Sequence, residues 1–275
     1  MPDEPILIIG AGGKTGSRVD ARLKARGIKT RPVSRSTEMP FDWDRSETWA
    51  PVFKGIERAY VTYQPDIAIE SAAEAIARIA ALAHEESLKQ MVLLSGRGEP
   101  GAQFAEAELK ASGVPWTIVR SSFFSQNFSE GFLIDGILAG EIALPVGSVP
   151  EPFIDVEDIA DIVVAALTDE RHINKGYEVT GPRALTFAEA VHEISQALGR
   201  QIRYRQVTVE EFAVNMAPYV PDDIIKLLVE LFTVVLDGRN KSVMAGVEQA
   251  LGRSARDFSD YVRDTVATGV WGARS

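Results

Sequence analysis

Cysteine is absent from the 275 residues. That excludes disulfides, thiolate-bound zinc, iron–sulfur clusters and a thiol nucleophile. Histidine is scarce: His84, His172 and His192 are the only ones and lack metal-ligand spacing, so no metal is expected. No apolar run approaches the roughly 20 residues that cross a bilayer. The opening Met1-Pro2-Asp3-Glu4-Pro5 lacks the basic region and apolar core of a signal peptide, so a cytoplasmic location is expected. Positive charge is in deficit, with 29 Lys and Arg against 39 Asp and Glu, a net charge of −10. Broad binding to nucleic acid or a membrane surface needs a basic face and is not expected. A Walker-type phosphate loop is also missing. A hydrophobic share of 45% excludes disorder as the dominant state. What remains is an enzyme or binding protein for a small molecule, as a monomer or homodimer.

Strand and helix signals alternate through the first half of the chain. Ile6–Ile9 is a short apolar run before a glycine cluster, the pattern of a buried parallel strand. A helix follows over 14–26, ended by Gly27. Strands are expected over 28–34, 58–63, 89–95 and 115–120, and helices over 68–86 and 102–112. This alternation predicts an α/β fold with a Rossmann-type, doubly wound parallel sheet. Residues 121–129, rich in Phe, Ser, Gln and Asn, read as a binding loop. A helix capped by Asp155 is expected over 156–167, a short strand over 177–180, and a helix to 198 opened by the capping box Thr186–Glu189. After Gly199 the pattern is mostly helical. The expected domains are a core over 1–150, with return segments over 151–182, and a smaller α-rich substrate lobe over 183–275.

The strongest signal is the turn Gly10-Ala11-Gly12-Gly13-Lys14-Thr15-Gly16, between a strand and a helix. Gly10 permits the tight turn, Gly12 and Gly13 let backbone N–H groups reach a pyrophosphate, and Gly16 lets helix and strand pack closely. The helix N-terminus adds partial positive charge, and Thr15 lies in its first turn. The alternative is a glycine turn with no ligand. Strands that bind NAD(H) end in an acid for the ribose hydroxyls. Here the second strand ends in Val33-Ser34-Arg35-Ser36, with no acid before Glu38. Arg35 between two hydroxyls suits a 2′-phosphate, and Lys14 would reach the same group. The expected cofactor is NADP(H) rather than NAD(H), unless Arg35 is merely a surface residue. Between Lys14 and Arg35 eight basic residues stand against the single acid Asp20. Arg18, Arg22 and Arg26 recur every four residues and read as a solvated helix face.

Several segments resemble the atypical short-chain dehydrogenase/reductases of the NmrA-like group. They are the glycine turn, Phe41-Asp42-Trp43-Asp44, Leu94-Ser95-Gly96, and Glu106-x-x-Leu109-x-x-Ser112-Gly113-Val114-Pro115-Trp116-Thr117. Arg120-Ser-Ser-Phe-Phe-Ser-Gln-Asn127-Phe128 and Phe153-Ile154-Asp155-Val156-x-Asp158-Ile159-Ala160 complete the set. Within the group the chain looks most similar to the branch of ergot-alkaloid reductases, the agroclavine dehydrogenase and festuclavine synthase type, with its bacterial relatives. Leu236-Asp237-Gly238 and Leu251-Gly252-Arg253 look similar too. The resemblance implies that Asp42 and Trp43 lie near the adenine, and that Thr62, Tyr63 and Gln64 border the middle of the cofactor. It places Ser95 near the nicotinamide, and Phe123, Phe124, Asn127 and Phe128 around the substrate. For the phenylalanines the alternative is plain core packing.

Ordinary short-chain dehydrogenases protonate the substrate oxygen from a Tyr-x-x-x-Lys pair, and no tyrosine here has a lysine four residues on. Some NmrA-like reductases carry Lys or Tyr one turn before the equivalent of Glu106, where this chain has Ala102. Glu106 and Lys110 read as an exposed i,i+4 ion pair. No proton donor is therefore assigned, and Ser95, Tyr63 and Ser122 are only weak candidates to polarise a substrate. A carbonyl reduced to an alcohol needs an acid. An iminium, quinone or conjugated enone asks less of the protein. The expected function is hydride transfer from NADPH to such an acceptor. One alternative is a non-catalytic NADP(H) sensor acting through a protein partner, and another is a non-redox cyclase or isomerase.

Overall fold

The computed structural model describes residues 4–272, so the part of the leader reading that concerns residues 1–3 lies outside it. In chain order the elements are β1 (Ile6–Ile9), α1 (Lys14–Ala25), β2 (Thr30–Val33), α2 (Trp49–Phe53), β3 (Arg58–Val61) and α3 (Glu70–Glu85). Then come β4 (Gln90–Gly96), α4 (Pro100–Ala111), β5 (Trp116–Ser121), α5 (Ile134–Ala139), β6 (Glu141–Leu144), α6 (Val156–Thr168) and β7 (Lys175–Val179). The last are α7 (Phe187–Leu198), β8 (Arg203–Gln206), α8 (Val209–Met216), α9 (Asp222–Glu230), α10 (Gly246–Leu251) and α11 (Phe258–Thr268).

Two compact units form. The first comprises Met1–Ser121, Val156–Val179 and Ala245–Ser254. Its six-stranded sheet has the order β2-β1-β3-β4-β5-β7, with every pair parallel. Leu7, Ile9, Ala59, Val61, Met91, Leu93 and Ile118 form one core with α2, α3 and α4. The pleat turns their neighbours Ile8, Tyr60 and Val92 to the other side, where α1 and α6 pack together. Burial on both faces is why these strands read as unbroken apolar runs. The result is the doubly wound, Rossmann-type α/β sheet that the sequence predicts.

Two basic residues play a different part from the one expected. Arg18 and Arg22 are not a solvated face. Arg18 Nε bonds Glu157 at 2.6 Å, Arg22 Nε bonds Asp161 at 2.9 Å, and Arg22 also pairs with Glu157. Arg253 joins the same lattice through Asp158 at 2.7 Å and Asp161 at 2.6 Å. A four-residue repeat gives the face of a helix but not its partner, and here α6 supplies a matching row of acids. Arg26 alone of the three is exposed.

The second unit comprises Ser122–Asp155, Thr180–Met244 and Ala255–Ser275. Its bounds are not those read in the sequence: residues 151–155 and 180–182, expected as return segments of the core, fall in this unit together with 122–150, while 245–254 do not. Residues 122–150, expected in the core domain, carry Phe128, Leu133, Ile137, Ile142 and Leu144 into the hydrophobic cluster of the second unit. Residues 245–254, expected in the lobe, belong to the first unit. A Cβ on Gly246 would lie 2.0 Å from the carbonyl oxygen of Glu178, so only glycine lets this segment lie against β7. The stretch after Gly199 is not purely helical, since β8 pairs in parallel with β6 as a two-stranded ribbon. The expected capping box is present: Glu189 N–H donates to Thr186 Oγ1 at 3.1 Å, and Thr186 N–H donates to Glu189 Oε2 at 2.8 Å. Among the described residues no helix is long and apolar enough to cross a membrane.

One buried group in the first unit makes stability depend on pH. His172 is 1% exposed and its Nδ1 shares a hydrogen bond of 2.8 Å with the Tyr177 hydroxyl. Burial, then the nearby Arg171, hold its imidazole below the ordinary histidine value, against a smaller opposing pull from Asp169. The unfolded chain therefore takes up a proton that the folded chain refuses, so this contribution is complete above about pH 6.5 and lost as pH falls below it. His172→Asn is expected to flatten the decline in melting temperature between pH 7 and pH 5. An unchanged slope would show that His172 is not the group responsible.

Candidate functional site

The carboxyl ends of β1, β2 and β3 border a cleft of about 580 Å³ in the first unit. Gly10, Gly12 and Gly13 form one wall, and Ser34, Arg35 and Ser36 another. Ile9, Phe41 to Asp44, Gln64 and Pro65 complete it.

The glycines play separate parts. Gly10 has φ +84°, a left-handed conformation, and a Cβ there would lie 2.0 Å from Thr62 Oγ1. A Cβ on Gly16 would lie 2.3 Å from the carbonyl oxygen of Gly10, so α1 starts pressed onto the turn. Gly12 is different, because nothing of the protein lies within 4 Å of its Cβ position. Folding does not require glycine there, and the space over it belongs to the cleft. Gly13 is the N-cap of α1 without a side-chain cap, and the first turn carries no acid. The first N–H groups of a helix have no partner within it and carry partial positive charge. The cleft is thus open at an uncapped helix end.

This separation gives a test. Gly12→Ala is expected to leave stability unchanged or raised by at most about 1 kcal/mol, through lower chain entropy. The added methyl should nevertheless weaken a ligand lying on the turn severalfold. Thermal melting and ligand titration read the two effects separately, and a loss of stability would contradict the open space seen at this position.

The turn after β2 is held by its own backbone. Ser34 N–H donates to Thr37 Oγ1 at 3.0 Å, and Phe41 N–H donates to the Ser34 carbonyl at 3.0 Å. Ser36 N–H donates to Ser34 Oγ at 3.3 Å. Arg35 is exposed, and within the described residues its guanidinium makes no hydrogen bond or ion pair. No acid stands at the end of β2. Beyond it Trp43 packs against Phe41 at 4.8 Å, Tyr63 at 4.6 Å and Trp49 at 5.7 Å between ring centroids, an aromatic edge to the cleft.

The cleft brings together Gly10, Gly12, Gly13, Ser34, Arg35, Ser36, Asp42, Trp43 and Gln64 from the sequence-derived set. It does not include Lys14, Thr15, Gly16, Thr62, Tyr63 or Ser95. Lys14 is half-buried, with its carbonyl accepting from Arg18. Thr15 is 4% exposed and its Oγ1 accepts from the Tyr60 hydroxyl at 2.9 Å. Thr62 Oγ1 donates to the Ile9 carbonyl at 3.2 Å beneath Gly10. Tyr63 packs behind Trp43, and its hydroxyl lies 3.2 Å from Ser71 Oγ. Phe41, Asp44 and Pro65 line the cleft although sequence reasoning assigned them no role.

Ser95 is 2% exposed, and its hydroxyl donates to Glu106 Oε1 at 2.8 Å. Glu106 is not half of an exposed ion pair. It is 1% exposed and gripped by Arg120, whose Nε donates to Oε1 at 2.6 Å and whose Nη2 donates to Oε2. Lys110 is a longer contact at 3.4 Å. Burial alone pushes the Glu106 carboxyl up, but Arg120, Ser95 and Lys110 together hold it below the usual carboxylate range. Glu106 is therefore an anion at neutral pH and no proton donor. Arg120 continues to Glu178 at 3.3 Å, which Arg97 also meets at 3.4 Å. The overlooked signal was an arginine at the end of the buried strand Trp-Thr-Ile-Val-Arg, because a charge there needs a partner.

In the second unit the Ser122 hydroxyl donates to the Pro152 carbonyl at 2.6 Å and is buried. Phe123 and Phe128 are core residues. Phe123 meets Phe187 at 5.3 Å, and Phe128 meets Phe153 at 5.6 Å and Phe258 at 5.7 Å. Core packing, the alternative weighed for them, is what is observed. Phe124 and Asn127 are partly exposed.

A parallel sheet in this order, with an uncapped glycine turn opening its first helix, defines a Rossmann-type protein of the dinucleotide-binding architecture. The chain belongs to the NmrA-like family, whose model matches residues 104–263. It is 28% identical to an NAD(P)H azoreductase of Xenophilus azovorans, over 94% of this chain and 96% of the relative. It is 29% identical to an agroclavine dehydrogenase of Claviceps fusiformis, over 97% of this chain and 98% of the relative. The fold is shared with the triphenylmethane reductase of Citrobacter sp., solved with NADP(H). That likeness has a TM-score of 0.75 at 17% identity, over 96% of this chain and 99% of that one.

Proposed function

We propose that this chain is an NADP(H)-dependent reductase of small, electron-poor organic acceptors. One observation carries the cofactor half: Arg35, exposed and without a bond among the described residues, stands between Ser34 and Ser36 on a cleft that the glycine turn also lines. The residues fit the group. The open space at Gly12 and the first turn of α1, free of acids, suit a pyrophosphate. The guanidinium with its two hydroxyls suits a 2′-phosphate, and no acid stands at the end of β2 itself; the cleft's carboxylates, Asp42 and Asp44, lie further along the chain. Trp43 offers an aromatic face to a purine. Bound NADPH would supply a hydride. Arg35 and the N–H groups of α1 would hold and orient it.

The acceptor half rests on what the side chains are already doing. The hydroxyls of Ser95 and Ser122 donate inside the protein, and Glu106 is ionised. A carbonyl reduced to an alcohol would find no acid among these groups. An iminium, a quinone or a conjugated enone is already electron-poor: hydride turns the iminium into a neutral amine with no proton needed, and the anion left by a quinone or enone can take its proton from water. Catalysis would then come chiefly from holding the two reactants together. The same engaged hydroxyls favour a second reading, an NADP(H)-binding sensor that acts through a protein partner.

The test is NADPH oxidation, followed by nicotinamide absorbance, against a panel of iminium salts, quinones and enones, with NADPH binding measured in parallel. Turnover of one acceptor class is the expected result. Tight binding without turnover across the panel would favour the sensor. Absence of NADPH binding would contradict both readings.

A further inference from the structure

Tyr60 has a buried hydroxyl that no part of the proposed chemistry uses. It sits on β3, two residues before Thr62, so the pleat turns both side chains to one face of the sheet. Both reach the glycine turn. Thr62 lies under Gly10, its Oγ1 2.0 Å from where a Cβ on Gly10 would stand. Tyr60 is fully buried, and its hydroxyl donates to Thr15 Oγ1 at 2.9 Å. Thr15 belongs to the first turn of α1, whose backbone N–H groups face the cleft end. The glycine turn itself is held by the Gly10–Gly16 close approach and by the Gly13 N–H bond to the Gly10 carbonyl at 2.9 Å, with Ala11 N–H reaching the Val33 carbonyl at 3.4 Å, while the first turn of α1 is tied to the strand beneath by the Tyr60–Thr15 side-chain bond. Burial pushes the Tyr60 phenol well above its ordinary range, against a smaller opposing pull from the Thr15 bond, so it is a neutral donor at neutral pH.

We infer that Tyr60 is a positioning residue for the pyrophosphate subsite: its bond to Thr15 sets the rotation of the first turn of α1 and hence the aim of its N–H groups. The inference rests on the dinucleotide reading of the cleft. It makes a selective demand, because the 2′-phosphate subsite at Arg35 hangs from β2 and touches neither residue. Loss of the bond should weaken ligands that span the turn and spare a ligand confined to the Arg35 end.

Titration calorimetry on the full chain distinguishes these cases, using NADPH and 2′-AMP, which carries the 2′-phosphate but no pyrophosphate. Tyr60→Phe and Thr15→Val each remove one partner of the bond at nearly constant shape. Each is expected to weaken NADPH about three- to tenfold, the size of one hydrogen bond. The double variant should weaken it no further, and 2′-AMP affinity should hold throughout. Tyr177→Phe removes a comparable buried bond, to His172, away from the cleft, and should change neither ligand. Unchanged NADPH affinity in Tyr60→Phe and Thr15→Val would overturn the inference. So would an equal loss for 2′-AMP, or a matching loss in Tyr177→Phe, since either would mark general loosening. Failure of the unaltered protein to bind NADPH would overturn the dinucleotide reading itself, a result distinct from the others.

Discussion

Arg35→Ala is expected to weaken NADPH binding about ten- to hundredfold and to leave NADH almost unchanged, because hydrogen bonds to a charged group contribute about 1.5–3 kcal/mol. NADH lacks the 2′-phosphate, so it loses nothing with the guanidinium. Arg35 makes no bond within the described residues, so its removal leaves no partner stranded and should not lower stability. Its exposure adds a second signature. The advantage of NADPH over NADH should shrink as salt is raised through the range where the Debye length drops below about 10 Å. Titrations of both nucleotides at two ionic strengths provide the check. Equal losses for NADPH and NADH would remove Arg35 from the 2′-phosphate.

Arg120→Met should produce the largest loss of stability, about 3 kcal/mol, because it leaves the buried Glu106 carboxylate without its principal partner. Arg120 is itself 29% exposed, which favours the low end of the usual range. Restoring neutrality with Arg120→Met and Glu106→Leu together should recover most of the loss. The pH dependence should also reverse. In the unaltered protein the Glu106 carboxyl is held low, so its contribution is present above about pH 4.3 and is lost on acidification. Without Arg120, burial would push that carboxyl up, and mild acid would then stabilise the variant. Denaturant melts at pH 7 and pH 5 read both effects. A variant within about 0.5 kcal/mol of the parent would show that the buried network is not what joins α4 to β5.

The first half of the fold was legible because its signals are local. An apolar tetrad, a glycine turn and a helix ended by Gly27 lie within one β-α unit, and each element declares itself without its neighbours. The ribbon of β6 and β8 was not legible. Glu141-Ile-Ala-Leu and Arg203-Tyr-Arg-Gln are short, partly charged, and become strands only by pairing across some sixty residues of chain. The place of residues 245–254 was not legible for a similar reason: they join the first unit through a glycine contact with β7 and an arginine contact with α6. At the cleft, the glycine turn and the Ser34-Arg35-Ser36 segment after β2 were readable as lining because each is a short local pattern beside a strand end. The states of Ser95, Ser122 and Glu106 were not, since a hydroxyl or carboxylate in a sequence does not show which atom it bonds. Phe123 and Phe128 show the same limit, as an aromatic residue reads alike in a pocket and in a core.

On the proposed reading, the first unit holds NADP(H) in the cleft lined by the glycine turn and Arg35. Calorimetric titration of the full chain with NADPH and with NADH tests it most directly. Saturable binding of one NADPH per chain is expected, at least tenfold tighter than NADH, given about 1.4 kcal/mol or more from the 2′-phosphate contacts. Binding of neither nucleotide, or equal binding of both, would contradict it.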